Sequence, residues 1–177
     1  HDFARKAEDA GAAAILSEKE LEMNVPVLKV PSTRQAFIDL AAYYRSLFQT
    51  FVVGVTGSVG KTSTKYMIYA VLSVKGKTLK TQGNLNNGIG LPKTLLGLDS
   101  TDVSAVIEMG MSHPGEIAAL TRAARPNVGV ITNIGVSHIE NLGSQANILK
   151  AKLEIVEGMG PGSPLVLNGD DPLLADV

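Results

Sequence analysis

Gly57, Ser58, Val59, Gly60, Lys61, Thr62 and Ser63 follow directly on the apolar, β-rich run Phe51–Thr56. A strand that delivers the chain to a glycine turn and then to a helix is a device for holding anions. Gly57 and Gly60 allow the dihedrals and the close approach that backbone N–H groups need to converge on phosphate oxygens. The helix that follows adds the positive end of its dipole. In this pattern the Lys61 ammonium faces the β and γ phosphates of a nucleoside triphosphate, and the Thr62 hydroxyl is a ligand for Mg2+. The standard motif has a further glycine five residues before Gly60, where this chain has Val55, so the match is to the shortened form Gly-x-x-Gly-Lys-Thr at Gly57–Thr62, flanked by Thr56 and Ser63.

Three more segments hold residues of the right type. Val103–Glu108 reads as an apolar strand ending in a carboxylate, and Glu108 would meet the metal if that strand lies beside the phosphate loop. A strand-terminal acid on its own reads equally well as a cap or a solvated group. Thr132-Asn133-Ile134-Gly135-Val136-Ser137-His138 follows the next strand, with His138 as a metal or phosphate ligand, or else a loop histidine bonded to backbone. The loop 81–90 offers Asn84, Asn86 and Asn87 to a polar substrate, or forms a simple Asn-Gly turn. Lys150 and Lys152 fall in a helical stretch whose spacing alone places them on a solvated face.

The elements that must position these groups alternate. Strands are expected at 12–16, 26–30, 51–56, 78–81, 103–108, 128–132 and 164–167, and helices at 4–10, 32–48, 61–74, 91–98, 114–124 and 144–156. In the helix over 32–48 the apolar period falls on Ala36, Leu40, Tyr43, Tyr44 and Leu47, and Pro92 sits in the first turn of its helix. Such alternation predicts an α/β fold of the P-loop NTPase type: right-handed crossovers, a mostly parallel sheet with helices on both faces, and ligands at the carboxyl ends of the strands. The boundary between units is expected near Gln49-Thr50. The turn-like Asn168-Gly169-Asp170-Asp171-Pro172 so near the end suggests a fragment of something longer.

Composition excludes several classes. Hydrophobic residues make up 45% and charged residues 19% of the 177, which speaks against disorder. Sixteen basic against seventeen acidic side chains leave a formal net charge of −1, so no global field draws the chain to nucleic acid or to an anionic membrane. The chain lacks cysteine, which removes disulfides and thiolate metal ligands and fits a reducing compartment. No run has the apolar length of a membrane span, and the first nine residues are too charged for a signal peptide. The expectation is a cytoplasmic protein without nucleic-acid or membrane partners, and a monomer.

Taken together, Thr56–Thr62, Asn84-Leu85-Asn86-Asn87-Gly88-Ile89-Gly90, Glu108-Met109-Gly110, Thr132–His138 and Ala151-Lys152-Leu153-Glu154 closely resemble the Mur ligase family. The Asn-rich block with Glu-Met-Gly-Met most resembles the bacterial member that adds a dipeptide. The resemblance implies an ATP-dependent ligase that joins D-alanyl-D-alanine to UDP-N-acetylmuramoyl-tripeptide through an acyl phosphate, in peptidoglycan precursor synthesis. It further implies that residues 1–49 are the tail of a smaller α/β domain for the UDP end of the substrate and 50–177 most of the central ATPase. By that resemblance a C-terminal domain, and a later Gly-x-His-x-x-Asn segment that helps hold adenine, would be expected beyond these residues. By the same resemblance Lys61, Glu108, His138 and Lys152 are catalytic, Thr62 and Glu108 hold a first Mg2+, and His138 holds a second together with Lys152 as a carbamate. The alternatives are another amino-acid-adding Mur ligase, a folylpolyglutamate synthase, and a nucleotide-binding module without turnover.

Overall fold

A computed structural model of the chain describes residues 2–177; His1 lies outside the described residues. The first helix, α1 (Ala4–Asp9), stops ahead of Gly11, whose φ of +89° turns the chain. The strands β1 (Ile15–Ser17) and β2 (Val27–Lys29) then pair in parallel as a two-stranded sheet. The first strand was expected over 12–16. Only Ile15–Ser17 finds a partner in β2, so the small residues before it remain in the turn.

The helix α2 (Thr33–Ser46) begins where Ser32 accepts a bond from the Gln35 N–H, a cap of the expected kind. Its buried face matches the expected one only in part: Tyr44 packs against the core and donates to the Leu98 carbonyl. Ile38, Ala41 and Arg45 are buried, whereas Leu40, Tyr43 and Leu47 are exposed. Two stripes share the same helical spacing, and contact with the following units selects the one bearing Ile38 and Ala41, which join the large core. This helix therefore packs against the larger unit although it precedes the Gln49-Thr50 break.

The main sheet contains β3 (Phe51–Thr56), β4 (Thr78–Lys80), β5 (Ser104–Glu108), β6 (Val128–Ile131) and β7 (Leu165–Leu167). Their order is β4-β5-β3-β6-β7 and every pairing is parallel. Alternate residues of β3 face opposite layers, as strand geometry requires. Val53 and Val55 pack with Ile68, Tyr69 and Leu72 of α3 (Lys61–Ser73). Val52 joins the larger core, to which α4 (Gly90–Leu95), α5 (Glu116–Ala124) and α7 (Gln145–Leu153) contribute Leu91, Leu95, Ile117, Leu120 and Ile148. Helices thus cover both faces.

The chain leaves β3 toward one edge of the sheet, to β4, and leaves β5 toward the other, to β6. The crevice between β3 and β5 is therefore the switch point at which ligands collect in such folds. Three short elements have no counterpart in the expected pattern: α6 (Ile139–Leu142), α8 (Pro172–Ala175) and a 3-10 turn over Glu154–Gly158. The last shortens the helix expected to reach Val156, because the Glu154 carboxylate crosses to accept from the N–H groups of Gly115 and Ala118 at the start of α5. No helix among the described residues is long and apolar enough to cross a membrane.

Candidate functional site

The loop between β3 and α3 is built by its glycines and braced from the strand next door. Gly57 has φ +147°, and a Cβ there would lie 1.9 Å from the Thr132 hydroxyl, so no larger residue fits without displacing the loop. Gly60 has φ +81° and occupies the position before α3. Val55, where the longer motif has glycine, is fully buried beneath α3 as a strand residue. The loop therefore starts later and is shorter.

Asn133 holds this loop from behind. Its side-chain oxygen accepts from the N–H groups of Ser58 (3.1 Å) and Val59 (2.9 Å), while the Thr132 hydroxyl donates to the Val59 carbonyl (2.6 Å). The Ser58 hydroxyl accepts from the Gly135 N–H. The segment 132–135 thus shapes the loop, a role its sequence did not advertise beyond its place after a strand. With Ser58 and Val59 bonded in this way, and no side chain capping α3, the N–H groups left to face an anion are those at the very start of that helix, which have no intrahelical acceptor.

The Lys61 ammonium folds back onto the Gly57 carbonyl (2.8 Å) and the Ser58 carbonyl (3.3 Å). Burial lowers its pKa, against the opposing pull of Glu108. The Thr62 hydroxyl donates to Glu108 Oε2 at 3.1 Å, joining two hard oxygen donors across the crevice between α3 and β5. Glu108 itself is 2% exposed. Burial pushes its pKa up, but bonds from Lys65, Asn86 and Thr62 outweigh burial and hold it below the usual carboxylate value.

Asn86 donates from its side chain to Glu108 Oε1 (2.9 Å), and the Asn87 side-chain oxygen accepts from the N–H groups of Ile89 and Gly90 at the start of α4. Asn86 and Asn87 line a cavity beside the glycine loop and organise its wall at the same time; Asn84 is exposed and not part of that wall. That cavity, of about 420 Å3, is also lined by Lys61, His138 and Lys152. His138 adopts a left-handed backbone (φ +65°) ahead of α6, which is uncommon for a residue with a side chain.

Lys152 corrects the expectation of a solvated face. It is 3% exposed, while Lys150 is exposed. Its ammonium meets no hydrogen-bond acceptor or carboxylate among the described residues, and burial together with the nearby Lys61 lowers its pKa to about 8. Lys65 and Arg34 are two further residues that sequence reasoning passed over. Lys65 is fully buried with its ammonium 2.9 Å from Glu108 Oε2. The guanidinium of Arg34, on α2, lines the cavity and pairs with Glu116 at 3.3 Å.

The residues fit one divalent cation through Thr62 and Glu108. No group of three His, Cys, Asp or Glu that could hold a metal occurs among the described residues. As an ammonium, Lys152 has no lone pair to offer, so His138 would need an added oxygen donor beside it.

A glycine turn, Lys-Thr and an uncapped helix at the switch point of a parallel sheet define an α/β P-loop domain. Residues 55–177 match the model of the Mur ligase middle domain. The chain belongs to the Mur ligase family. It is 47% identical over 177 residues to the UDP-N-acetylmuramoyl-tripeptide--D-alanyl-D-alanine ligase of Bacillus subtilis, covering 98% of this chain and 39% of that protein. Among solved structures, MurF from Acinetobacter baumannii superimposes with a TM-score of 0.94 at 35% identity, over 99% of this chain and 39% of that one. MurF from Thermotoga maritima in complex with ADP gives 0.92 at 37% identity, over 99% and 41%. The chain thus spans about two fifths of the length of the relatives it matches.

Proposed function

We propose that this chain is the nucleotide-binding portion of an ATP-dependent ligase that joins D-alanyl-D-alanine to UDP-N-acetylmuramoyl-tripeptide. The observation that bears most weight is the pairing of an uncapped helix start and Lys61 with the Thr62–Glu108 contact across the switch point. The names of the relatives and the ADP complex of the Thermotoga maritima structure support the choice of substrates and nucleotide. On this reading residues 1–49 belong to the substrate-binding domain and 50–177 to the central ATPase, with α2 as the joint that packs against the latter. The reaction is placed in the bacterial cytoplasm.

A carboxylate is a poor acylating agent until one of its oxygens becomes part of a leaving group. A terminal carboxylate oxygen of the acceptor attacks the γ-phosphorus of ATP and ADP departs, giving an acyl phosphate. The dipeptide amine then adds to the carbonyl carbon, loses a proton, and phosphate leaves as the peptide bond closes. Phosphoryl transfer of this kind depends on alignment and charge neutralisation. The N–H groups at the start of α3 cradle the phosphates and Lys61 turns from its loop carbonyls to their oxygens.

Mg2+, held by Thr62 and Glu108, supplies further neutralisation of the phosphate charge when bound. We further propose that Lys152 is carbamylated by CO2 and that the new oxygens join His138 at a second Mg2+. A largely buried lysine that lines the cavity without a protein partner, with a pKa lowered to about 8, is unusually ready for that reaction. High-resolution density, or a carbamate signal from the full-length protein in 13C-labelled bicarbonate, checks it; a plain ammonium in a metal-loaded enzyme would count against it.

The decisive assay follows phosphate release by the full-length protein supplied with ATP, UDP-N-acetylmuramoyl-tripeptide and D-alanyl-D-alanine. Release that requires both co-substrates, and is lost with the muramoyl-dipeptide, is expected. Nucleotide binding without such release would leave only a binding module.

A further inference from the structure

One charge in the site is used neither by the phosphates nor by the acceptor in the reaction just described. Lys65 stands one helical turn beyond Lys61 on α3, and its side chain is completely buried. Its ammonium lies 2.9 Å from Glu108 Oε2 and donates to the Gly83 carbonyl at 3.0 Å. Glu108 receives two more donors, Thr62 on the same oxygen and Asn86 on the other. Its backbone N–H is tied to the Thr81 hydroxyl. The carboxylate is therefore fixed in direction, and its charge is cancelled within the protein by a cation that cannot reach solvent.

A bare buried carboxylate beside a hydroxyl would attract a divalent cation unaided, since Coulomb attraction grows steeply where water is excluded. An internally neutralised one does so far less. Mg2+ gives up its water reluctantly and is commonly held by one or two carboxylates together with substrate phosphates.

We propose that Lys65 is a positioning residue, the resident counter-ion of Glu108, which keeps the metal-side carboxylate neutralised and aimed until nucleotide phosphates bring the negative charge that recruits the cation. The metal then enters with the nucleotide and not before it. This rests on the reading of Glu108 as a metal ligand. A purely architectural pair, pinning α3 to β5, would leave cation affinity unchanged when its lysine is replaced.

The test uses the full-length protein and Mn2+ as a paramagnetic probe, titrated with and without ADP. Wild-type protein is expected to bind Mn2+ weakly alone and at least about tenfold more tightly with ADP. Lys65→Met is expected to raise the nucleotide-free affinity by about tenfold or more, because the buried Glu108 charge is then left unpaired. In the double variant Lys65→Met with Glu108→Gln that gain disappears, and its thermal unfolding, compared with the single variant, reports whether the pair is needed for folding. Mn2+ binding by the wild type that is as tight without ADP as with it overturns the proposal, even if Lys65→Met fails to fold. So does an unchanged nucleotide-free affinity in a folded Lys65→Met. Absence of Mn2+ binding even with ADP would sink the metal reading of Glu108 and this inference with it.

Discussion

The two ends of the parallel sheet bury their cations on opposite terms. At the amino ends of the strands Arg45 is 7% exposed and pairs with no acid among the described residues, yet its guanidinium donates to the carbonyls of Ala124, Phe48 and Thr50. Those oxygens end α5 and line the connection between α2 and β3, so one side chain ties two chain segments together. At the carboxyl ends Lys65 is satisfied by Glu108 and Gly83, while among the described residues Lys61 holds the carbonyls of its own loop and Lys152 meets no acceptor. A buried cation whose donors are all met contributes to architecture. One buried without an acceptor costs stability, and such a cost persists where the group is needed for chemistry.

The largest effect is expected from removing the catalytic cation. In the full-length enzyme Lys61→Ala should lower ligation by about a thousandfold or more, about 4 kcal/mol in barrier height, while thermal unfolding barely moves. Arg45→Met should do the reverse: three carbonyls lose their donor, stability falls by about 3 kcal/mol in chemical denaturation, and nucleotide affinity measured by calorimetry is unchanged.

Lys152→Met sharpens the contrast, because it should stabilise the fold as it destroys activity. In the unfolded chain this lysine titrates near 10.5 and in the folded protein near 8. Below pH 8 both states are protonated and folding bears the full cost of burying the charge, roughly 3 kcal/mol. As pH rises from 8 to 10.5 the folded state releases its proton first and that cost fades. In CO2-free buffer the variant should therefore gain up to about 3 kcal/mol at pH 7 and progressively less toward pH 10.5. Chemical denaturation across that range checks the sign. Smallest of the four, Ser144→Ala removes the cap that accepts from Asn147 at the start of α7 and should cost about 1 kcal/mol in the same assay.

Much of this arrangement is legible in the sequence where local signals are strong. Phe51–Thr56 and the start of α3 at Lys61 fall where the β-rich run and the glycines place them, and Glu108 ends its strand as expected. The sequence offers Asn86 as a substrate contact, and its amide is bonded to Glu108, a partner 22 residues away that no local pattern names. Lys65 looks like any helical lysine until β5 is laid beside α3. Lys152 has the spacing of a solvated residue because helical period says which residues share a face, not which face is covered. The same limit explains α2, whose two apolar stripes are equivalent until α4 and α5 choose between them. The one-turn helices α6 and α8 are too short to show any period.

The central claim is that the N–H groups opening α3 and the Lys61 ammonium grip a polyphosphate. A crystal of the full-length protein saturated with a nucleoside triphosphate and Mg2+ tests it most directly. The phosphates should lie against the backbone of residues 60–63, with Lys61 turned from the Gly57 and Ser58 carbonyls to a phosphate oxygen. Lys61 still bonded to those carbonyls, with the nucleotide bound elsewhere or absent at saturation, would contradict the account.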